Sequence, residues 1–315
     1  MTSFAETEAT LAIAADDADR ADRRLGLYLT LPAQILVLFI AVFPLLMQLY
    51  ISLTSWSPLS GRGWWDAWTL WNNFANYLNL AVDARWWSAL LRTLLVMAIC
   101  VPAEFLLGLA LAILFMDNFR GKRVFYSILL MPMMVVPAVA GYMFFMLFQS
   151  GGPVNNIASA ISGHNVAIAW LSNPSLAFIA VAVADIWQWT PLMFLILLAG
   201  LLGVPDDQLK AATLLGANWW QRFVTIMLPR MRAIIVIALA IRLIENFKIF
   251  DTLYIMTAGG PGTATETISV FIYKLTTNDL SWGYVAAIAL VVLISLSVAL
   301  GIAIARQTKR REAAS

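Results

Sequence analysis

Apolar runs of about twenty residues alternate along this chain with short polar stretches, and each run is long enough to cross a bilayer as a helix. Six such runs are read, near Leu27–Leu53, Trp87–Met116, Val124–Phe148, Leu176–Leu202, Ala233–Tyr254 and Tyr284–Ala305. They predict an all-α membrane protein of six transmembrane helices, with one domain over residues 25–305 and polar tails at 1–24 and 306–315. The N-terminal tail mixes Glu6, Glu8, Asp16, Asp17 and Asp19 with Arg20, Arg23 and Arg24, without the basic-then-apolar order of a signal peptide.

One interruption, residues 203–232, has a pattern of its own. Leu209–Leu215 predicts a short helix, and Gly216 supplies a permissive backbone at its end. Trp219, Phe223 and Ile226 then recur at helical spacing, and Pro229 is expected to close the segment. Ala211, Ala212, Gly216 and Ala217 are small enough to let a partner's backbone approach closely. The segment therefore predicts either a docking helix-turn-helix or an ordinary interfacial hairpin anchored by Trp219 and Trp220.

Composition supports the membrane reading: 61% hydrophobic residues, 12% charged residues and a mean hydropathy of +0.81 exclude a soluble fold. The distribution of basic residues sets the orientation. Arg20, Arg23 and Arg24, then Arg120, Lys122 and Arg123, then Lys210, Arg222, Arg230 and Arg232, then Arg306, Lys309, Arg310 and Arg311 all fall on one side. The other side holds Arg62, Arg85 and Lys274, with Arg92 near the boundary. By the positive-inside rule, both termini and the 203–232 loop lie in the cytosol of a multi-pass protein of the cell (inner) membrane.

The outer stretch 55–86 holds Trp56, Trp64, Trp65, Trp68, Trp71 and Trp86. They suit a belt at the lipid interface, or a docking surface for an extracytoplasmic protein. The lone His164 follows Gly151-Gly152-Pro153, and no histidine or cysteine cluster completes a metal site. Cys100, the single cysteine, reads as a packing residue. Pro44, Pro102, Pro132, Pro137 and Pro191 fall inside apolar runs and predict kinks. No internal repeat is apparent, whereas an inverted one would have favoured a secondary transporter.

Glu104, Asp185, Arg242, Glu245 and Lys248 also interrupt apolar runs. A charge at mid-bilayer costs roughly 2.5–3.5 kcal/mol on insertion scales, so these groups should face a cavity, a partner or one another. Arg242, Glu245, Lys248 and Asp251 step by three with alternating sign, so Glu245 is expected to bridge Arg242 and Lys248. The strip reads equally as a neutralised structural seam or as a polar-lined path that includes Asn246.

Two motifs carry a family resemblance. Ala211, Ala212, Gly216, Ala217, Phe223, Ile226, Leu228 and Pro229 resemble the "EAA" coupling loop of permease subunits of ATP-driven (ABC-type) importers. Lys210 stands where that family usually has Glu, and Leu215 where it usually has Asp. The string Phe250-Asp251 through Thr257-Ala258-Gly259-Gly260-Pro261 to Thr265 resembles the "FD…TxGGPxxxT" signature of maltose-type carbohydrate permeases, in particular the first of their paired subunits. Gly108–Ala112 and Asn155-Asn156 are further family-like stretches.

The resemblance implies a non-catalytic subunit that moves a sugar, polyol or related hydroxylated solute inward. It implies a second homologous permease, two cytosolic ATPase subunits carrying ATP and Mg, and an extracytoplasmic solute-binding protein, with membrane lipid around them and no nucleic acid. Lys210, Ala211, Ala212, Gly216, Ala217, Phe223 and Pro229 would form the ATPase-coupling surface. No cofactor is expected on this chain, since Gly121-Lys122 has no glycine before it at phosphate-loop spacing. Independently of the motifs, Trp187 and Trp189 suit the C–H faces of a sugar, and Gln188, Asp185, Glu245 and Asn246 suit its hydroxyls. Glu104, Arg242 and Lys248 complete the candidate solute path. The competing class is a proton- or sodium-coupled secondary transporter using Glu104 and Asp185, which needs no cytosolic docking element.

Overall fold

A computed structural model describes the backbone of residues 2–312 and the side chains of residues 25–298, 301 and 302. The expected tails, 1–24 and 306–315, fall where side chains lie outside the described residues. In chain order the helices are α1 (Thr2–Ser52), α2 (Ala75–Val82), α3 (Ala84–Leu114), α4 (Lys122–Met134), α5 (Pro137–Leu147), α6 (Pro153–Ser162) and α7 (Pro174–Leu202). They continue with α8 (Asp206–Leu214), α9 (Trp219–Arg222), α10 (Leu228–Phe247), α11 (Asp251–Thr257), α12 (Ile268–Thr277) and α13 (Trp282–Glu312). Among the described residues the only β-pairing is an isolated bridge between Thr54 and Trp71.

Among the described residues, four helical stretches are long and apolar enough to cross a membrane: Leu25–Ser52, Ala84–Leu114, Pro174–Leu202 and Trp219–Phe247. A fifth arises if the bent pair α4 and α5 counts as one span. The apolar run expected to form one helix over Val124–Phe148 is therefore broken, with a 98° bend between its halves. Pro137 causes the break, because the residue before a proline is pushed out of the helical region. Val135 and Val136 accordingly hold extended ψ values of 129° and 134°.

The fifth run also ends early. Its helix stops at Phe247 rather than Tyr254, and Asp251 restarts a short helix with an acidic first turn. Pro229 does not close the preceding segment: α9, a π-type turn over Phe223–Met227 and α10 run on as one 29-residue stretch. In the π turn the Leu228 N–H reaches back to the Phe223 carbonyl. The register has already shifted where Pro229, in the first turn of α10, lacks its N–H.

The chain divides into two compact units, residues 1–81 with 278–315, and residues 82–277. In the first, α1 packs along α13. Asn76 Nδ2 donates to the Ser52 and Thr54 carbonyls at 2.8 Å each, closing the end of α1. The Tyr50 hydroxyl accepts from the Trp68 N–H at 2.8 Å and donates to the Trp65 carbonyl at 3.2 Å. This ties the 3-10 turn Trp64–Leu70 to the last turns of α1, leaving Trp64, Trp65, Trp68 and Trp71 exposed.

In the second unit α3 and α7 form the central pair, and α10 leans on both. Their crossing is close because Gly108 lacks a Cβ, which would otherwise come within 2.9 Å of the Phe194 backbone nitrogen. Ala112, one turn on, is fully buried beside Phe194 and Leu197. Trp86, grouped with the exposed tryptophans from sequence, belongs to this unit and is buried.

Candidate functional site: a cavity at the break of the fifth span

The break between α10 and α11 opens a cavity of about 260 Å³ lined by Pro137, Asp185, Trp189, Glu245, Lys248, Ile249, Phe250, Asp251 and Thr252. Two interrupted helices meet there. A helix break frees carbonyls that lipid cannot satisfy, so side chains must do so. Gln188 Nε2 donates to the freed Val135 carbonyl at 2.9 Å, and Thr252 Oγ1 adds a bond to the Pro137 carbonyl, in the first turn of α5, at 3.0 Å. Gln188, expected to meet solute hydroxyls, is thus engaged with the backbone, and it does not line the cavity.

Beside the cavity lies a buried charge cluster. Arg242 Nε and Nη2 donate to the two Glu104 oxygens at 2.5 and 2.7 Å. Nη2 also reaches Asp185 Oδ2 at 3.1 Å, and Asn246 Nδ2 donates to that same oxygen at 2.5 Å. The guanidinium carbon stands 4.8 Å from the centre of the Trp189 ring. Glu104 and Arg242 are 0% and 1% exposed, so the paired charges offset a large desolvation cost.

Glu245 does not bridge Arg242 and Lys248. It pairs with Lys248 at 2.9 Å, while Arg242 turns inward to Glu104 and Asp185. The reason is angular: each step of three residues rotates about 60° around a helix, so the strip winds from the core outward. Of the candidate path residues, Asp185, Trp189, Glu245 and Lys248 line the cavity. Glu104, Arg242 and Asn246 stand behind it. Trp187 faces the core instead, edge-on to Phe144 at 5.2 Å.

The Gly-Gly-Pro turn is stapled to the start of α3. Glu266 is fully buried and receives Arg85 Nε at 2.8 Å, Arg85 Nη2 at 3.0 Å and Lys274 Nζ at 2.9 Å. Arg92 Nη2 donates to Thr263 Oγ1 at 3.1 Å, and the Ile268 N–H to Thr93 Oγ1 at 2.9 Å. Burial raises the Glu266 carboxyl, but Arg85 and Lys274 outweigh it and hold it below the usual glutamate range. Sequence reading passed over Glu266. Its signal was a carboxylate eight residues before Lys274, in an outer stretch just after the Gly-Gly-Pro turn.

On the polar loop, α8 begins at Asp206 rather than Leu209, with Asp206 and Asp207 in its first turn. Lys210 is exposed and lies 4.0 Å from Asp206. Gly216 has φ of +84° with open space where a Cβ would stand. Ala211 is exposed and Ala212 half-buried, and the Ala217 N–H returns to the Ala212 carbonyl at 3.0 Å. Asn218 and Gln221 form a capping box that starts α9. Phe223 is buried, Pro229 is exposed, and Leu214 and Leu215 stand 90% and 88% exposed at the tip.

The chain belongs to the family of binding-protein-dependent transport system inner membrane components, which it matches over residues 104–311. It is 34% identical over 269 residues to the trehalose transport system permease protein SugA of Mycobacterium tuberculosis (strain CDC 1551 / Oshkosh), covering 85% of this chain and 84% of that protein. The sulfoquinovosyl glycerol transport system permease protein SmoG of Agrobacterium fabrum is 34% identical over 281 residues, covering 89% of each chain. A bacterial alginate ABC transporter, solved with an alginate pentasaccharide-bound periplasmic protein, superposes with a TM-score of 0.74 at 19% identity. That match covers 89% of this chain and 93% of the solved one, and it shows the fold. The resemblance to ABC-importer permeases read from the two motifs holds over most of the chain.

Proposed function

We propose that this chain is one of two paired transmembrane subunits of an ATP-driven importer for a sugar or a related hydroxylated solute. The carrying observation is the cavity at the α10–α11 break. Trp189 and Phe250 offer aromatic surface there, and Asp185, Glu245, Asp251 and Thr252 offer hydrogen-bonding groups. Apolar faces with a few convergent polar groups suit a polyhydroxylated ring. The similarity to permeases named for trehalose and for sulfoquinovosyl glycerol supports that solute class.

In this reading the chain holds the solute path and no catalytic group, and separate ATPase subunits hydrolyse ATP. They dock on the loop at 203–232, where Leu214 and Leu215 present an exposed apolar tip beside the small residues Ala211 and Ala212. The sixth span is the apolar part of α13, and both termini face the cytosol of a cell (inner) membrane protein. The secondary-transporter alternative loses its footing, because Glu104 and Asp185 are both engaged by Arg242. Uptake of trehalose, maltose and sorbitol into proteoliposomes holding the full assembly tests the reading. Import driven by ATP and dependent on the binding protein supports it. Import driven by an ion gradient, with no ATPase subunit present, overturns it.

A further inference from the structure

We propose that Glu104 and Arg242 are positioning residues for solute recognition: they orient Asp185 and Trp189 on the cavity wall without touching solute. The inference rests on the cavity being the solute path. Asp185 and Trp189 line the cavity; Glu104 and Arg242 do not.

A guanidinium is a rigid plane whose edges donate and whose faces accept aromatic rings. Glu104 takes one edge through two bonds of 2.5 and 2.7 Å, which fixes the plane. The remaining Nη2 donor then fixes the Asp185 carboxylate at 3.1 Å, and the guanidinium carbon lies over the Trp189 ring, 4.8 Å from its centre. Asp185 and Trp189 lie one turn apart on α7, Glu104 is on α3 and Arg242 on α10. One buried plane therefore sets the angle between a carboxylate acceptor and an indole face. That pairing meets the hydroxyl edge and the C–H face of a single ring. A lysine at 242 would keep the charge and lose the fork and the face.

The test is transport by the full assembly in proteoliposomes, with trehalose, maltose and sorbitol as probes, comparing wild type with Arg242→Lys and Glu104→Asp. Glu104→Asp keeps both charges but draws the guanidinium back by one methylene. Membrane insertion and ATPase-subunit assembly are scored alongside. For the sugar that wild type imports fastest, each variant should raise KM about tenfold or more, with kcat changed less than about threefold, and blunt the preference among the probes. Wild-type KM and preference in Arg242→Lys would overturn the proposal, since charge alone would then suffice. Loss of kcat at unchanged KM in both variants would overturn it too, placing the cluster in the conformational cycle. If Arg242→Lys fails to insert, Glu104→Asp decides by the same criteria. Absence of any uptake by wild type would sink the importer reading, and the proposal with it.

Discussion

At the scale of single residues, two positions combine unusual backbone or charge with a clear consequence. Gly216 holds φ of +84°, where a Cβ costs roughly 1–2 kcal/mol, while the space around it is open. The cost of a side chain there is therefore one of backbone conformation, not collision. Gly216→Val should leave membrane insertion intact and misorient the Leu214–Leu215 tip. Loss of co-purifying ATPase subunits or of solute-stimulated ATP hydrolysis is expected, and full uptake by the variant would identify the loop as a mere hairpin. Glu266 makes a pH prediction. Its carboxyl is held below the usual glutamate range, so its stabilisation is complete above that range and is lost as pH falls through the lowered value. Melting temperatures of wild type and Glu266→Gln should differ most near neutrality and converge on acidification. A gap that stays constant with pH would assign the staple to packing.

Elements are set by what breaks them and by how closely they approach. Pro137 divides the third run into α4 and α5, and the Val135 carbonyl freed at the end of α4 is taken up by Gln188. Gln188→Leu removes one donor and leaves the Val135 carbonyl unsatisfied, at a cost of about 1–3 kcal/mol. A lower melting temperature in detergent checks this; an unchanged one would mean that water already serves that carbonyl. The α3–α7 crossing depends on Gly108, where any Cβ meets the Phe194 backbone. Gly108→Val should overpack the crossing by about 1–3 kcal/mol or more and lower the yield of folded protein. Wild-type thermal stability would show that the helices slide apart without penalty.

For the whole molecule, the positive-inside rule and the importer reading converge on one sidedness. Leu214 is 90% exposed, so Leu214→Cys in a Cys100→Ala background is a direct probe. Membrane-impermeant thiol reagents should label it in inside-out vesicles and not in intact cells. Labelling from outside would invert the topology and remove ATPase docking from the 203–232 loop.

The sequence by itself determined the all-α membrane class and the two family motifs, because both are written in local periodicity and short spacing. It also located the helix break at Gly216, since a left-handed residue is a local property of glycine. It did not determine where apolar runs break. A proline within such a run either kinks or divides it, and the choice depends on whether a neighbour such as Gln188 can take a freed carbonyl such as that of Val135. Charge partners were likewise out of reach. Glu245 lies within reach of Arg242 on one helix, yet Glu104 is 138 residues away and wins. A buried guanidinium takes whichever carboxylates tertiary packing brings into its plane, and that packing is set by Gly108 and Ala112 at the α3–α7 crossing. Only the assembled helices could separate Asp185 and Trp189, on the cavity wall, from Glu104 and Arg242 behind it.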